Sequence, residues 1–430
     1  MTGPQGTTST ILRFCCSVIF ATAIFAHAQT FTVLHNFTDG NDGAAPEATL
    51  TLDAAGNLFG TASEGGVRSY NNCYDYGCGA VFELKRTHSG FIFYTIYLYQ
   101  GHSDGYEPEA PVTIAHDGTL YTSVAVGGSS PTNCGAIVRL QPPAHTCASF
   151  SCSWRKTEVY GFQGPDGCDP SGPVVFDQGG NLYGTTLNED GQGWGNVWQL
   201  SPTQGGGWTE SVVHNFAYQA GDGIFPEDGG VTLDSAGNLY GTASGGGDLN
   251  CTPGYGCGLV FKLTHSGSQW IESDVYNFEN GTDGAYPVAG VIFDAAGNLY
   301  GGTSTGGSGS GGTVFELSPP GGGGYWNFTL LRSLVSYQTE PGVLSNLTMD
   351  AAGNIYGTTR TGGAYDEGTL FKLTPSAGGW TYSTLHDFSC ATDGCGPWGG
   401  VTIDSAGNIY GTAGGGGAHG WGTVWEITYP

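Results

Sequence analysis

The chain has 430 residues, with 37 Asp or Glu against 11 Lys or Arg, and a formal net charge of −26. A nucleic-acid binder must neutralise phosphates with Lys and Arg, so this balance argues against nucleic acid and against anionic membrane surfaces. Hydrophobic residues reach 39% and charged residues only 11%, which is unlike a disordered chain. The 78 glycines and 13% aromatic residues are typical of an all-β protein with many tight turns.

The N-terminus has the pattern of a secretory signal peptide. An apolar run from Phe14 to Phe25 follows Arg13, and Ala26-His27-Ala28 matches the small-x-small cleavage pattern. We therefore expect cleavage after Ala28, removal of residues 1–28 and an extracellular or periplasmic location. No second apolar stretch is long enough to predict a transmembrane segment.

A motif of the form Asp-x-x-Gly-Asn-Leu-Tyr-Gly recurs along the chain, six times in full and once shortened to Gly118-Thr-Leu-Tyr121. Its glycines are spaced 54 to 62 residues apart, at Gly56, Gly118, Gly180, Gly237, Gly297, Gly353 and Gly407. Each repeat contains four strand-like pieces, of which the third alternates apolar and polar residues and the fourth is aromatic. Seven such repeats predict a seven-bladed β-propeller with four antiparallel strands per blade.

The two ends of the chain distinguish a closed ring from a linear β-solenoid, the alternative architecture. The last repeat stops after its third strand, at Ile427, and the missing fourth strand is found at the other end, over residues 31–37. Pairing the two would remove the exposed edges that an open solenoid must cap. We predict a single all-β domain over residues 29–430, closed by this N-terminal strand.

The repeat resembles the Gloeo/Verruco (GloVer) tandem repeat of secreted bacterial proteins. The resemblance rests on Asp-x-x-Gly-Asn-Leu-Tyr-Gly-Thr, Gly-Thr-Val-Phe-Glu-Leu, the aromatic strand and Asp-Gly-x-x-Pro, and it covers nearly all of the chain after residue 28. It implies a secreted propeller and supplies no catalytic residues.

The loops that join each fourth strand to the next repeat are the predicted binding surface, because in a propeller they gather on one face around the central channel. Each carries a proline, usually preceded by Asp-Gly. The aspartates are Asp42, Asp104, Asp166, Asp222, Asp283 and Asp393. The residue after the proline varies, as Glu47, Glu109, Ser171, Glu227, Val288, Gly342 and Trp398.

These loops suggest two kinds of ligand. The carboxylates would suit calcium, which binds oxygen ligands, and Trp398 would suit stacking on a sugar. The candidate ligand-binding residues are therefore Glu47, Glu109, Glu227, Trp398, Asp42, Asp104, Asp222, Asp283 and Asp393. The alternative is that Asp-Gly serves the turn alone and that the glutamates are simply solvated.

Ten cysteines follow residue 28, an even number that predicts disulfides in a secreted chain. Local pairs are Cys73 with Cys78, Cys147 with Cys152, Cys251 with Cys257, and Cys390 with Cys395. Cys134 and Cys168 are left over, and they can pair if the loops before third strands share a face with the proline loops. Zinc is the competing interpretation, but the spacings differ among the pairs and no histidine cluster accompanies them.

The sequence carries no G-x-S-x-G elbow, H-E-x-x-H motif or P-loop. The repeated aspartates and the equivalent His35, His214 and His386 are expected to be structural. We predict a secreted, monomeric, non-catalytic binding propeller for an extracellular glycan or protein, with no required cofactor and calcium as an option. The alternatives are a carboxylate-dependent enzyme acting on glycans or lactones, and a structural envelope or matrix protein.

Overall fold

The computed structural model describes residues 1, 3, 29–68, 73, 75–143, 153–187, 193–226, 229–267, 269–322, 324–335 and 345–429. Seven four-stranded antiparallel sheets follow one another through this part of the chain. They are the blades of a seven-bladed β-propeller, which confirms the predicted fold class. The predicted signal peptide and the Cys147–Cys152 pair lie outside the described residues.

The strands of blades 1 to 4, in order from the first to the fourth strand, are Thr51–Leu52, Leu58–Ala62, Ala80–Thr87 and Gly90–Leu98; Thr113–Ile114, Leu120–Val124, Ala136–Gln141 and Arg155–Gly161; Val175–Phe176, Leu182–Thr186, Asn196–Pro202 and Trp208–Asn215; Val231–Leu233, Leu239–Ala243, Leu259–Ser266 and Gln269–Asn277. Those of blades 5 to 7 are Ile292–Phe293, Leu299–Thr303, Ser310–Ser318 and Asn327–Val335; Thr348–Met349, Ile355–Thr359, Thr369–Ser376 and Gly379–Asp387; Thr402–Ile403, Ile409–Ala413, Thr423–Thr428 and, from the N-terminus, Thr30–Asn36. A small extra pair joins Gly223–Ile224 to Gly245–Gly246, and His102–Asp104 forms one turn of 3-10 helix.

The middle strands of each blade are its core. The second strand of blade 1 is buried along its whole length, whereas its fourth strand alternates exposed and half-buried residues. A glycine in the second strand makes room for the aromatic ring of the third strand, since a Cβ atom at Gly60 would lie 2.5 Å from Phe82 Cζ. This explains why Gly recurs after the aromatic residue of the motif.

The repeated aspartate caps its own turn, as predicted. Asp234 Oδ1 accepts hydrogen bonds from the backbone N–H groups of Ala236 and Asn238, both at 2.9 Å, and Oδ2 accepts one from the Asn238 amide at 2.7 Å. The hydroxyl of Tyr240 also donates to Oδ2, at 3.3 Å. Burial opposes ionisation, but these donors prevail and lower the pKa of Asp234.

The N-terminal strand closes the ring. Thr30–Asn36 pairs antiparallel with Thr423–Thr428, the third strand of blade 7. Blade 7 is also joined to blade 1 in the way that other blades are joined to their neighbours. Thr412 Oγ1 donates to the carbonyl of Ala48 at 3.0 Å, as Thr61 Oγ1 donates to that of Ala110 at 3.0 Å between blades 1 and 2. Closure therefore uses the same contacts as every ordinary step in the ring.

One position of the fourth strand, here called the seam position, faces the preceding blade. In each blade it pairs with the last buried Leu or Ile of the third strand, and its occupants from blade 7 through blade 6 are Phe31, Phe93, Lys156, Glu210, Glu272, Phe328 and Tyr382. Where the seam residue is aromatic, it stacks on a side chain of the neighbour's fourth strand. Phe93 lies 3.8 Å from His35 between ring centroids, and Phe328 lies 4.8 Å from Tyr276.

Four disulfides lie in the described residues and confirm the predicted pairs Cys73–Cys78, Cys134–Cys168, Cys251–Cys257 and Cys390–Cys395. Cys134 lies before the third strand of blade 2, and Cys168 lies in the following proline loop. In the described part of the chain, no helix has the length and apolar character to cross a membrane. Both features are consistent with an extracellular or periplasmic protein.

Candidate functional site

The proline loops and the loops between second and third strands share one face of the ring, called here the proline-loop face. Ala44, in the first proline loop, exchanges backbone hydrogen bonds of 2.8 and 3.1 Å with Glu64, which follows the second strand of blade 1. Cys395 and Gly415 form the same exchange in blade 7. The capped turns and the hairpins between third and fourth strands lie at the opposite end of the blades.

The aspartates of the Asp-Gly pairs hold the loops in shape. Asp42 accepts hydrogen bonds from the Thr38 backbone N–H at 2.9 Å, from the Thr38 hydroxyl at 2.6 Å and from the His35 ring at 3.1 Å. The same pairing of a His or Tyr in the fourth strand with the following aspartate recurs as Tyr97–Asp104, Tyr160–Asp166, His214–Asp222, Tyr276–Asp283 and His386–Asp393. Their carboxylates are therefore occupied by their own loops. The repeated histidines have this structural role too.

The residues after the prolines surround the mouth of the central channel. A cavity of about 240 Å³ there is lined by Glu47, Glu109, Ser171, Val288 and Trp398, with backbone and small side chains between them. Glu109 is exposed, Glu47, Val288 and Trp398 are half-buried, and Ser171 is buried. The structure thus brings together Glu47, Glu109 and Trp398 among the predicted residues, while Glu227 lies outside the described residues.

Trp398 has a cation on one face of its ring. The guanidinium carbon of Arg360 lies 3.9 Å from the ring centroid, close enough for a cation–π interaction. The two side chains, with Glu47 and Glu367, line a second cavity of about 540 Å³ beside the mouth. A ligand that stacks on Trp398 would therefore use its other face or displace Arg360, which the sequence alone did not indicate.

A second ring of variable residues, immediately before the prolines, was missed by the sequence analysis. These residues have left-handed backbone, with φ of 51° at Ala45, 56° at Glu107, 62° at Asp169, 57° at Phe225, 56° at Tyr286 and 58° at Gly396. The residue before a proline is normally extended, and a bulky residue rarely has positive φ. Their side-chain variety in an otherwise repeated loop was the signal that could have identified them.

Backbone hydrogen bonds fix each of these positions. The Phe225 N–H donates to the carbonyl of Trp194 in the preceding blade at 2.8 Å, and the Phe225 carbonyl accepts from Ser244 N–H at 3.0 Å. Tyr286 is held in the same way by Cys257 and Ser304, at 2.9 and 3.0 Å. The frame is therefore constant around the ring, and only the side chain that it presents changes.

Carboxylates gather on the side of the face formed by blades 1 to 3. Burial raises the pKa of Glu107, and the nearby carboxylates of Asp169 and Glu64 raise it further. Burial and Asp39 likewise raise the pKa of Glu64, against the opposing effect of Arg68. This sector would disfavour an anionic ligand.

One group of three potential metal donors was found among the described residues, formed by Glu367, Cys390 and Cys395. The two sulfurs belong to one disulfide, so they are not the thiolates that a metal requires. Calcium would instead need six to eight oxygen ligands. The Asp-Gly carboxylates are already occupied within their loops, which leaves Glu47 and Glu109 as the described mouth carboxylates for such a role.

The fold and this face define a β-propeller that presents different side chains on a repeated loop frame. The model of the Gloeobacter/Verrucomicrobia repeat matches residues 250–430, so this part of the chain belongs to that repeat family and the predicted resemblance is confirmed. No match was found among curated proteins.

Solved structures with a similar chain arrangement include three of low sequence identity. The periplasmic gluconolactonase of Pseudomonas aeruginosa is 15% identical, with 86% of this chain and 96% of that chain covered and a TM-score of 0.49. The polysaccharide lyase Uly1 is 11% identical, with 90% and 91% covered and a TM-score of 0.49. A putative oxidoreductase (glucose dehydrogenase) of Thermus thermophilus is 16% identical, with 75% and 96% covered and a TM-score of 0.43. At these identities and TM-scores, the similarity carries no argument about what this chain binds.

Proposed function

We propose that this chain is a secreted, monomeric, non-catalytic binding propeller that takes an extracellular ligand at the channel mouth, with a glycan as the first class to test. The observation that carries the proposal is the contrast within the ring. The blade frame repeats, but the five described mouth positions present two carboxylates, a hydroxyl, an aliphatic group and an indole around one cavity. Such a set can hydrogen-bond the rim of a sugar and stack on its apolar face.

The carboxylates favour binding over chemistry. A general acid or base needs surroundings that bring its pKa near the working pH, which usually means a desolvated pocket. Glu109 is exposed at the mouth. The strongest carboxyl pKa shifts among the described residues instead belong to Glu210 and Glu272, which lie at blade seams. Calcium held by mouth carboxylates remains compatible with binding.

A glycan array probed with the mature chain tests this proposal. We expect a discrete set of glycans to bind, Trp398→Ala to lose that binding, and Tyr325→Ala to keep it. Tyr325 is a matched control because it is an aromatic residue, 95% exposed, on a hairpin at the opposite face. Binding that survives Trp398→Ala, or no binding to any glycan, would contradict the proposal.

Two further measurements separate the alternatives. Incubating the bound glycan, or a lactone, with the mature chain should leave it unchanged in mass spectrometry, whereas product formation would favour the enzyme. Light scattering should give the mass of one chain across a range of concentrations. Concentration-dependent assembly would favour the structural envelope role instead.

A further inference from the structure

Five aromatic rings form a continuous arc on the proline-loop face across blades 3 to 5. In spatial order they are Tyr218, Trp194, Phe225, Tyr255 and Tyr286, and successive ring centroids lie 5.4, 5.5, 5.6 and 5.6 Å apart. Tyr218 is exposed and the other four are half-buried. The arc lies next to the channel mouth, because Tyr286 is two residues before Val288.

The fold does not require these rings. Phe225 and Tyr286 occupy the position before the proline, where other blades keep the same left-handed backbone with Ala45, Glu107 or Asp169. A bulky aromatic residue at positive φ is costly, and two successive blades accept it. The aromatic identity in these two blades therefore needs a reason other than loop geometry.

The arc is held rigid by its own loops. Tyr255 lies in the loop of blade 4 that is closed by the Cys251–Cys257 disulfide, and its N–H donates to the carbonyl of Thr252 at 3.0 Å. The Tyr286 hydroxyl donates to Thr252 Oγ1 at 3.0 Å, and the Tyr255 hydroxyl lies 3.3 Å from Ser244 Oγ. A platform fixed before the ligand arrives loses less conformational entropy on binding.

We infer that this arc is a binding platform for a neutral polysaccharide chain, a second subsite beside the mouth. The inference rests on the proposed binding function and adds its ligand class. Sugar rings have apolar faces that stack on aromatic rings, and rim hydroxyls that can add hydrogen bonds to the Tyr, Ser and Thr hydroxyls, each of which has one donor and two acceptor sites. None of the five residues is a cation that would pair with an anionic glycan, and the net charge of −26 repels one.

Affinity electrophoresis of the mature chain tests the arc. Native gels would contain a neutral polysaccharide (β-glucan, xyloglucan or galactomannan) or the anionic alginate. We expect at least one neutral polysaccharide, and not alginate, to retard the wild-type chain. Tyr255→Ala and Tyr218→Ala should weaken the interaction on the order of tenfold, and Tyr325→Ala should leave it unchanged.

Trp398→Ala separates the arc from the mouth, since it should keep the retardation. Retardation lost in Trp398→Ala but kept in Tyr255→Ala would overturn the arc while leaving the mouth proposal standing. No retardation by any neutral polysaccharide, or retardation by alginate alone, would also overturn the arc, whereas the mouth is judged by its own glycan array.

Fluorescence provides a readout that does not depend on a damaged variant. Trp194 is part of the arc, so adding the retarding polysaccharide to the wild-type chain should change the tryptophan emission. Trp194→Phe keeps an aromatic ring, so it should retain the retardation but lose most of that change. An unchanged difference between wild type and Trp194→Phe on titration would place the polysaccharide elsewhere and overturn the inference.

Discussion

Phe31 stacks face to face on His386, with ring centroids 3.9 Å apart and ring planes at 9°. Phe31 is the second residue of the N-terminal strand, and His386 belongs to the fourth strand of blade 6. Four residues later, His35 of the same N-terminal strand stacks on Phe93 of blade 1 at 3.8 Å. The strand that closes the ring thus takes part in the seams on both of its sides.

Replacing Phe31 by Ala should destabilise the ring. The substitution removes the stacking on His386 and the packing of Phe31 near Trp425, whose ring centroid is 5.8 Å away. We expect the free energy of unfolding to fall by about 2 kcal/mol, at the low end for a large core truncation because Phe31 is only half-buried. Urea unfolding would measure it, with the exposed Ile92→Ala as control. Equal midpoints for the two variants would argue against closure by this strand.

The two carboxylates at seam positions predict a pH dependence of stability. Burial raises the pKa of Glu210 to about 7, helped by Asp166, and that of Glu272 to about 8, helped by Asp274 and Asp222. The folded state therefore holds these protons more tightly than the unfolded state, whose glutamates titrate near 4.5. Their contribution to stability is greatest below about pH 4.5 and is lost as the pH rises through about 7 and 8.

A Glu210→Gln, Glu272→Gln double variant isolates this effect, because glutamine stays neutral. The variant should gain stability relative to wild type as the pH rises from about 5 to about 9, measured by urea unfolding at each pH. The exposed Glu279→Gln should show no such trend. A difference that does not change with pH would contradict the assigned environment of the two seam carboxylates.

Lys156 occupies the seam position of blade 2 and pairs with Asp104 of the preceding proline loop. Its ammonium group lies 2.7 Å from Asp104 Oδ1 and 5.6 Å from the ring centroid of Tyr99, and the side chain is 9% exposed. Removing one partner of a buried pair leaves the other charge uncompensated, so Lys156→Ala should cost about 3 kcal/mol. Thermal unfolding would show the loss, and the exposed Lys85→Ala serves as control. A Lys156→Ala variant as stable as this control would show that the pair contributes little.

The Cys134–Cys168 disulfide should stabilise the chain more than Cys390–Cys395. The first closes a separation of 34 residues and the second only 5. A cross-link restricts the unfolded chain more when the loop is longer, and about 3 kcal/mol is typical for the longer one. Denaturant midpoints of Cys134→Ser, Cys168→Ser and of Cys390→Ser, Cys395→Ser would be compared. A larger loss in the second variant would contradict this order.

Much of the fold could be predicted because the motif states its local physics openly. Asp234 and Gly237 specify a turn, the alternation in Leu259–Leu263 specifies a half-buried strand, and the unpaired third strand at Ile427 called for a partner that residues 31–37 supply. Each inference needed only neighbours in sequence or the count of strands in a repeat.

The rest of the candidate site depended on contacts between blades. Arg360 reaches Trp398 from a different repeat, and the loops that carry them differ in sequence from their equivalents. Phe225 and Tyr286 have left-handed backbone because two hydrogen bonds from neighbouring segments impose it, against the local preference of a residue before proline. Sequence periodicity contains no information on such cross-blade contacts.

The most direct test of the binding face is hydrogen–deuterium exchange of the mature chain with and without the glycan that binds best on the array. The account predicts slower exchange in peptides of the proline-loop face, those containing Ala45–Glu47 and Gly396–Trp398, and no change in the capped turns at Asp53–Asn57 and Asp404–Asn408. Protection confined to the capped turns, with the proline loops unchanged, would contradict it.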